Sequence, residues 1–108
     1  MTVKELADKY GFTAHALPDG EREVTGVYIG DLLSWVMGRA GADEAWITIM
    51  SNRNIVAVAT LADTACILLA EGVSPDEGVA QLAAEKGVNI LQSPDSAYQI
   101  AMRLRDAL

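Results

Sequence analysis

The apolar positions change period several times along the chain, and each change marks an element. After Thr2, the residues Val3, Leu6, Ala7 and Tyr10 recur at helical spacing, with Glu5 placed to complete a capping box and Gly11 to end the helix. A first helix is therefore expected over residues 3–10. Residues 12–17 alternate weakly before Pro18, Asp19 and Gly20, which supply turn chemistry. Residues 21–29 are rich in β-branched side chains and predict a second strand, pairing with the first. Gly30 and Asp31 then open a helix reaching about Ala40, with Asp31 as its N-cap.

Residues 46–50, WITIM, read as a strand, followed by a polar loop of Ser51, Asn52, Arg53 and Asn54. Residues 55–62 carry two patterns at once: the order Ile-Val-Ala-Val-Ala-Thr-Leu alternates like a strand, while its alanines suit a helix. Asn54 as N-cap favours the helix. The alternative is a hairpin with residues 51–54 as its loop. Residues 65–70, ACILLA, form a continuous apolar run expected of a central strand covered on both faces. Ser74, Pro75, Asp76 and Glu77 have N-cap, first-turn proline and capping-box chemistry, predicting a helix to about Lys86 that ends at Gly87. A short strand over residues 88–91 and a last helix starting at Ser93, Pro94 and Asp95 complete the chain. That helix carries a stripe of Ala97, Ile100, Ala101, Leu104 and Leu108, with Arg103 and Arg105 near its negative end.

Strand and helix alternate with short connections from Gly26 onward, which predicts an α/β fold: a largely parallel sheet of about five short strands with helices on both faces. The whole length, residues 1–108, is read as a single domain. One expected helix stands out, because Leu32, Leu33, Trp35, Val36, Met37 and Ala40 spread over more than one stripe. Either neighbouring elements bury its second face, or that face meets another subunit. For the second case the candidate interface residues are Leu33, Trp35, Val36 and Met37.

Composition narrows the function classes. The 51% of hydrophobic residues can fill one core, and a net charge of −7 repels phosphate backbones, so nucleic acid is not an expected partner. A lone cysteine and the absence of a basic, then apolar, amino-terminal leader point to a cytoplasmic protein. The most apolar run, residues 55–70, is shorter than the ~20 residues that cross a bilayer and contains Asp63, so no membrane association is expected.

No glycine-rich loop followed by Lys and Ser or Thr is present, which removes a phosphate-cradling kinase loop. Cys66 lies in an apolar strand that disfavours its thiolate. His15, the only histidine, has no ligand-spaced cysteine or paired carboxylate and is expected on an edge strand; no metal site, cofactor or catalytic triad is expected. The acidic pairs fit solvated surfaces, so an enzyme is not expected. The polar loop is the candidate ligand site, since the carboxyl end of a strand just before a helix is where open α/β sheets bind ligands. Ser51, Asn52, Arg53 and Asn54 would hold a small polar or anionic ligand, with Glu71 and Gly72 at the next strand end bordering the same crevice. The plainer alternative is that the asparagines make turn and cap bonds while Arg53 is solvated.

Three strings together resemble a known family: Gly30-Asp31-Leu32-Leu33-Ser34 opening a helix, the tryptophan strand running into Ser51-Asn52-Arg53-Asn54-Ile55, and the apolar strand followed by Glu71-Gly72-Val73-Ser74-Pro75-Asp76-Glu77. They resemble the DRTGG domain, particularly its small stand-alone members, although the string Asp-Arg-Thr-Gly-Gly itself does not occur. The resemblance implies a fold similar to the N-terminal domain of HPr kinase/phosphorylase and to a module of some phosphotransacetylases. It also implies a non-catalytic regulatory or ligand-binding role beside CBS pairs in larger proteins, and a homodimer. Small members accompany iron-hydrogenase and other electron-transfer genes. The alternative role is an accessory protein, without a ligand of its own, that docks on a larger redox or metabolic enzyme through its acidic surface.

Overall fold

The computed structural model describes residues 1–108. In chain order the elements are α1 (Val3–Tyr10), β1 (Thr13–Ala16), β2 (Gly26–Ile29), α2 (Leu33–Arg39), β3 (Glu44–Thr48), α3 (Asn54–Ala62), β4 (Cys66–Leu69), α4 (Val79–Lys86), β5 (Ile90–Gln92) and α5 (Ala97–Ala107). One sheet runs in the order β1-β5-β4-β3-β2. Strands β2 to β5 are mutually parallel, and β1 pairs antiparallel with β5. The α/β architecture predicted from the pattern is the one observed.

Residues 55–62 form a helix and not a hairpin arm. Its flanking strands β3 and β4 are parallel neighbours, and a parallel pair requires a crossover that a tight turn cannot supply. The residues it buries, Ile55, Val56, Val58, Ala59 and Ala62, recur at helical spacing.

The three crossovers step across the sheet in one direction, β2 to β3 to β4 to β5. Crossovers of the same hand then place α2, α3 and α4 on one face. Helices α1 and α5 cover the other. The strands alternate accordingly: Ala45, Ile47, Cys66, Leu68 and Leu91 face α1 and α5, while Trp46, Ile67, Leu69 and Ile90 face α2, α3 and α4. Strand β4 is buried along its whole length, as ACILLA predicts. Each of Ile67, Leu68 and Leu69 stabilises the fold by about 1.5–3 kcal/mol through its burial.

Local signals were right about α1 and wrong in several other places. Thr2 and Glu5 form the expected capping box. The second strand, however, is only Gly26–Ile29, and it pairs with β3 at the edge of the sheet opposite β1. The turn at Asp19 does not close a hairpin, because Asn89 beside β5 grips it from both sides: Asp19 N–H donates to Asn89 Oδ1 (2.9 Å) and Asn89 Nδ2 donates to the Asp19 carbonyl (2.8 Å). The chain then crosses to the far edge with Val24 buried under α1.

Two expected caps are displaced in the middle of the chain. Asp31 does not cap α2, whose N-cap is Leu32 without a side-chain bond. Asn54 is the first residue of α3, and its N–H is accepted by Asn52 Oδ1 at 2.9 Å. Toward the carboxyl end, Ser74 does not start α4, which begins at Val79 after Gly78 in the left-handed region at φ 83°. The last helix starts at Ser96, whose hydroxyl forms a capping box with Gln99, rather than at Ser93. At Asp31 and at Ser74–Asp76, bonds from another part of the chain, from Thr48 and Ile49 and from Ser51 respectively, outcompete the local ones. His15 lies on edge strand β1 as expected, its Nε2 2.5 Å from Gln92 Oε1.

Candidate functional site

Because β2 to β5 are parallel, the segments that follow them meet at one rim of the sheet. Side chains taken from their expected capping duties tie this rim together. Asp31 Oδ1 accepts from Thr48 Oγ1 (2.8 Å) and from the Ile49 N–H (3.0 Å), which joins the end of β2 to the end of β3. Trp46 fixes the same corner by donating its indole N–H to the Gly30 carbonyl at 2.8 Å, so this fully buried ring keeps its polar atom satisfied. Ser51 Oγ donates to Asp76 Oδ1 (2.8 Å) and the Asp76 N–H returns a bond to the Ser51 carbonyl (2.9 Å), holding residues 74–78 out of the helix that their sequence favours. Gln92 Nε2 donates to the Gly72 carbonyl (2.9 Å) and to Ser74 Oγ (3.3 Å). The N–H of Glu71, at φ 60°, reaches the Asp95 carbonyl at 2.8 Å.

Two depressions border this rim, and the expected site residues divide between them. The smaller, about 220 Å³, opens between the strand ends and the start of α5 and is lined by Ile29, Asp31, Thr48, Ile49, Glu71 and Ala97, among others. The larger, about 520 Å³, is a trough between α3 and α4. Its walls are Val56, Ala57, Thr60, Leu61 and Leu82, with Arg53, Asn54 and Lys86 as its polar members. Arg53 and Asn54 therefore belong to the trough and Glu71 to the smaller pocket, so the single crevice expected of these residues is two. Ser51 and Asn52 act as ties at the rim, and Gly72 bonds Gln92 through its carbonyl and Ser93 through its N–H.

The two depressions differ in charge. Asp31 and Glu71 give the smaller one two carboxylates, which oppose an anion. The trough has two cations and no carboxylate in its lining. Of the eight cationic side chains, Arg22, Arg103 and Arg105 pair with carboxylates, and Lys9 and Arg39 lie over aromatic rings. The three left are Lys4, Arg53 and Lys86, and two of these line the trough. Arg53 stands at the N-cap position of α3, where the helix dipole is positive and a cation is disfavoured by about 0.3–1 kcal/mol. Lys86 ends α4, where the dipole favours it. Sequence reasoning passed over Lys86 because a lysine before a C-cap glycine has an ordinary explanation.

Cys66 is fully buried at the start of β4, and loss of solvation pushes its thiol up to about 12, against a small opposing pull from Arg22. It is a core residue, as its sequence setting predicts.

The candidate interface residues also divide. Val36 is buried against the sheet and Leu33 is half-buried, whereas Trp35 and Met37 are 53% and 44% exposed. The guanidinium of Arg39 sits 3.6 Å from the Trp35 ring centre. The outer face of α2 is thus uncovered. No helix of the chain is long and apolar enough to cross a membrane.

Comparison with known proteins agrees with this architecture. No curated protein matches the chain in sequence. Among solved structures it is similar to the CBS and DRTGG domains of the regulatory region of Clostridium perfringens pyrophosphatase, complexed with the activator diadenosine tetraphosphate. The TM-score is 0.72 at 11% identity; the match covers 94% of this chain and 44% of the other, so the likeness is one of fold and this chain spans less than half of that relative. The sequence pattern of the DRTGG domain matches residues 15–107, and with nearly the whole chain covered, the protein belongs to the DRTGG domain family.

Proposed function

We propose that this protein is a non-catalytic regulatory module that binds a small anionic ligand at the Arg53 end of the trough and dimerises through the outer face of α2. One observation carries the ligand half: an arginine without a carboxylate partner, held at the positive end of a helix, beside a cavity whose lining contains no acid. A bound anion would offset both the helix dipole and the unpaired charge. The trough's volume lies in the range of small-molecule sites, about 300–1,000 Å³. Asn54, also on its wall, has a side-chain amide free to orient the ligand. The regulatory role follows from the company DRTGG domains keep, since the pyrophosphatase region was captured with a nucleotide activator.

Thermal unfolding in the presence of orthophosphate, ATP and diadenosine tetraphosphate tests the ligand half. At least one should raise the melting temperature, and Arg53→Ala should remove the rise; no stabilisation by any anion would reject the site. For the dimer half, light scattering at micromolar concentrations should show a dimer that Trp35→Asp dissociates, and a monomer throughout would reject it. Rejection of both halves would favour the accessory role, with the acidic surface docking on a larger enzyme.

A further inference from the structure

We infer that the trough is a two-ended site, shaped for an elongated small molecule that carries an anionic group at each end and an apolar body between. The inference rests on the proposed reading that Arg53 holds an anion, and it adds Lys86 as the second anchor. Helices α3 and α4 are successive crossovers between parallel strands, so they run side by side in the same direction. Their carboxyl ends are level, because Ala62 precedes Cys66 of β4 by the same interval as Lys86 precedes Ile90 of β5. Arg53, just before the first residue of α3, and Lys86, the last residue of α4, therefore stand at opposite ends of the groove.

The wall of α3 from Arg53 to Leu61 spans about 12 Å at 1.5 Å per residue. Between the two cations the walls are almost entirely apolar. The Thr60 hydroxyl is already committed to the Val56 carbonyl at 2.9 Å, and Leu61 stands 72% exposed on the lip. Neither cation makes a salt bridge although the chain has fifteen carboxylates. A molecule charged at one end only would leave the far cation unused, and one charged in the middle would set its anion against Val56, Ala57 and Leu82, at a desolvation cost.

Straight-chain α,ω-dicarboxylates provide the test, with succinate, suberate and sebacate titrated by calorimetry beside octanoate and orthophosphate. Suberate or sebacate should bind at least about fivefold more tightly than succinate or octanoate, as a second charge-assisted contact predicts. Lys86→Ala should abolish that advantage while leaving octanoate binding within about twofold. Arg53→Ala should weaken every member of the series. Both side chains are exposed and make no salt bridge, so circular dichroism should show both variants folded. Arg53-dependent binding of phosphate or nucleotide with no optimum in chain length, and no effect of Lys86→Ala, would overturn the two-ended site and leave the proposed function standing. Absence of any Arg53-dependent binding would overturn both.

Discussion

At the amino end of the parallel strands, Arg22 is partly buried and donates from Nε to Asp43 Oδ1 (2.9 Å) and from Nη2 to the carbonyl (2.6 Å) and Oδ1 (2.8 Å) of Asp63. At the carboxyl end, Arg53 is exposed and pairs with no carboxylate. The same side chain serves the fold in one place and lies open at the other. The difference comes from what surrounds each. Asp43 and Asp63 both hold left-handed backbone, at φ 65° and 59°, and the N–H of Asp43 donates to the Asp63 carbonyl at 2.9 Å. Two tight turns, one before β3 and one before β4, thus converge on a single guanidinium. Partial burial works against the Arg22 charge, but the bonds it donates to Asp63 and Asp43 outweigh it and hold its pKa above the ordinary arginine value. Arg53 has a helix N-terminus for a neighbour instead. The Arg22 charge is met by two carboxylates and serves the fold, whereas the Arg53 charge is left without a carboxylate partner at the end where a ligand is proposed.

The largest effect that would test this contrast lies at the buried amino end and depends on pH. Cys66 is held protonated to about 12 against an ordinary 9.0, so its folded pKa lies above the unfolded one. The stability linked to it is complete below pH 9 and is lost as pH rises from 9 toward 12, because the unfolded thiol ionises first. Between pH 8 and pH 11 the native protein should lose about 2–3 kcal/mol from this group alone. Denaturant unfolding of wild type and Cys66→Ala at both pH values isolates that loss; parallel pH profiles would mean the thiol is not desolvated.

Next in size is Arg22→Ala, which strands two aspartates in strained turns. It should cost about 2 kcal/mol and lower the melting temperature by roughly 10 °C. A change below about 0.5 kcal/mol would break the contrast, since such values are usual for exposed ion pairs. The smallest effect has the opposite sign. Arg53→Asp replaces an opposed charge by a favourable one at the start of α3 and should stabilise the protein by about 0.5 kcal/mol. Destabilisation measured by the same unfolding experiment would show that Arg53 contributes to the fold.

Much of the fold is legible in the sequence because burial has a period. The continuous apolar run of β4, the spaced stripe of α1 and the alternation of strand and helix after Gly26 each reflect a surface that must be covered, and coverage depends on nearby residue order. Caps and turns at the rim were less legible, because their side chains had competing partners far along the chain. Ser74, Pro75, Asp76 and Glu77 have every local reason to start a helix, and the bonds between Ser51 and Asp76 hold them elsewhere. Asp31 would have capped α2 had Thr48 and Ile49 not been within reach. The candidate site shared that limit: Arg53 and Asn54 could be picked out, but their separation from Glu71 and their pairing with Lys86 depend on how α3 and α4 pack.

The passage of the chain from β1 to β2 has a consequence for synthesis. These strands are neighbours in sequence but form opposite edges of the sheet, and Thr13 of β1 finds its register partner in Gln92 of β5. On a ribosome, β1 emerges first of the strands while its partner emerges last. Its first stretch must wait, unpaired, while the three crossovers assemble behind it. Strand β1 can pair only once β5 has been made, and a long-range closure of this kind is expected to slow folding.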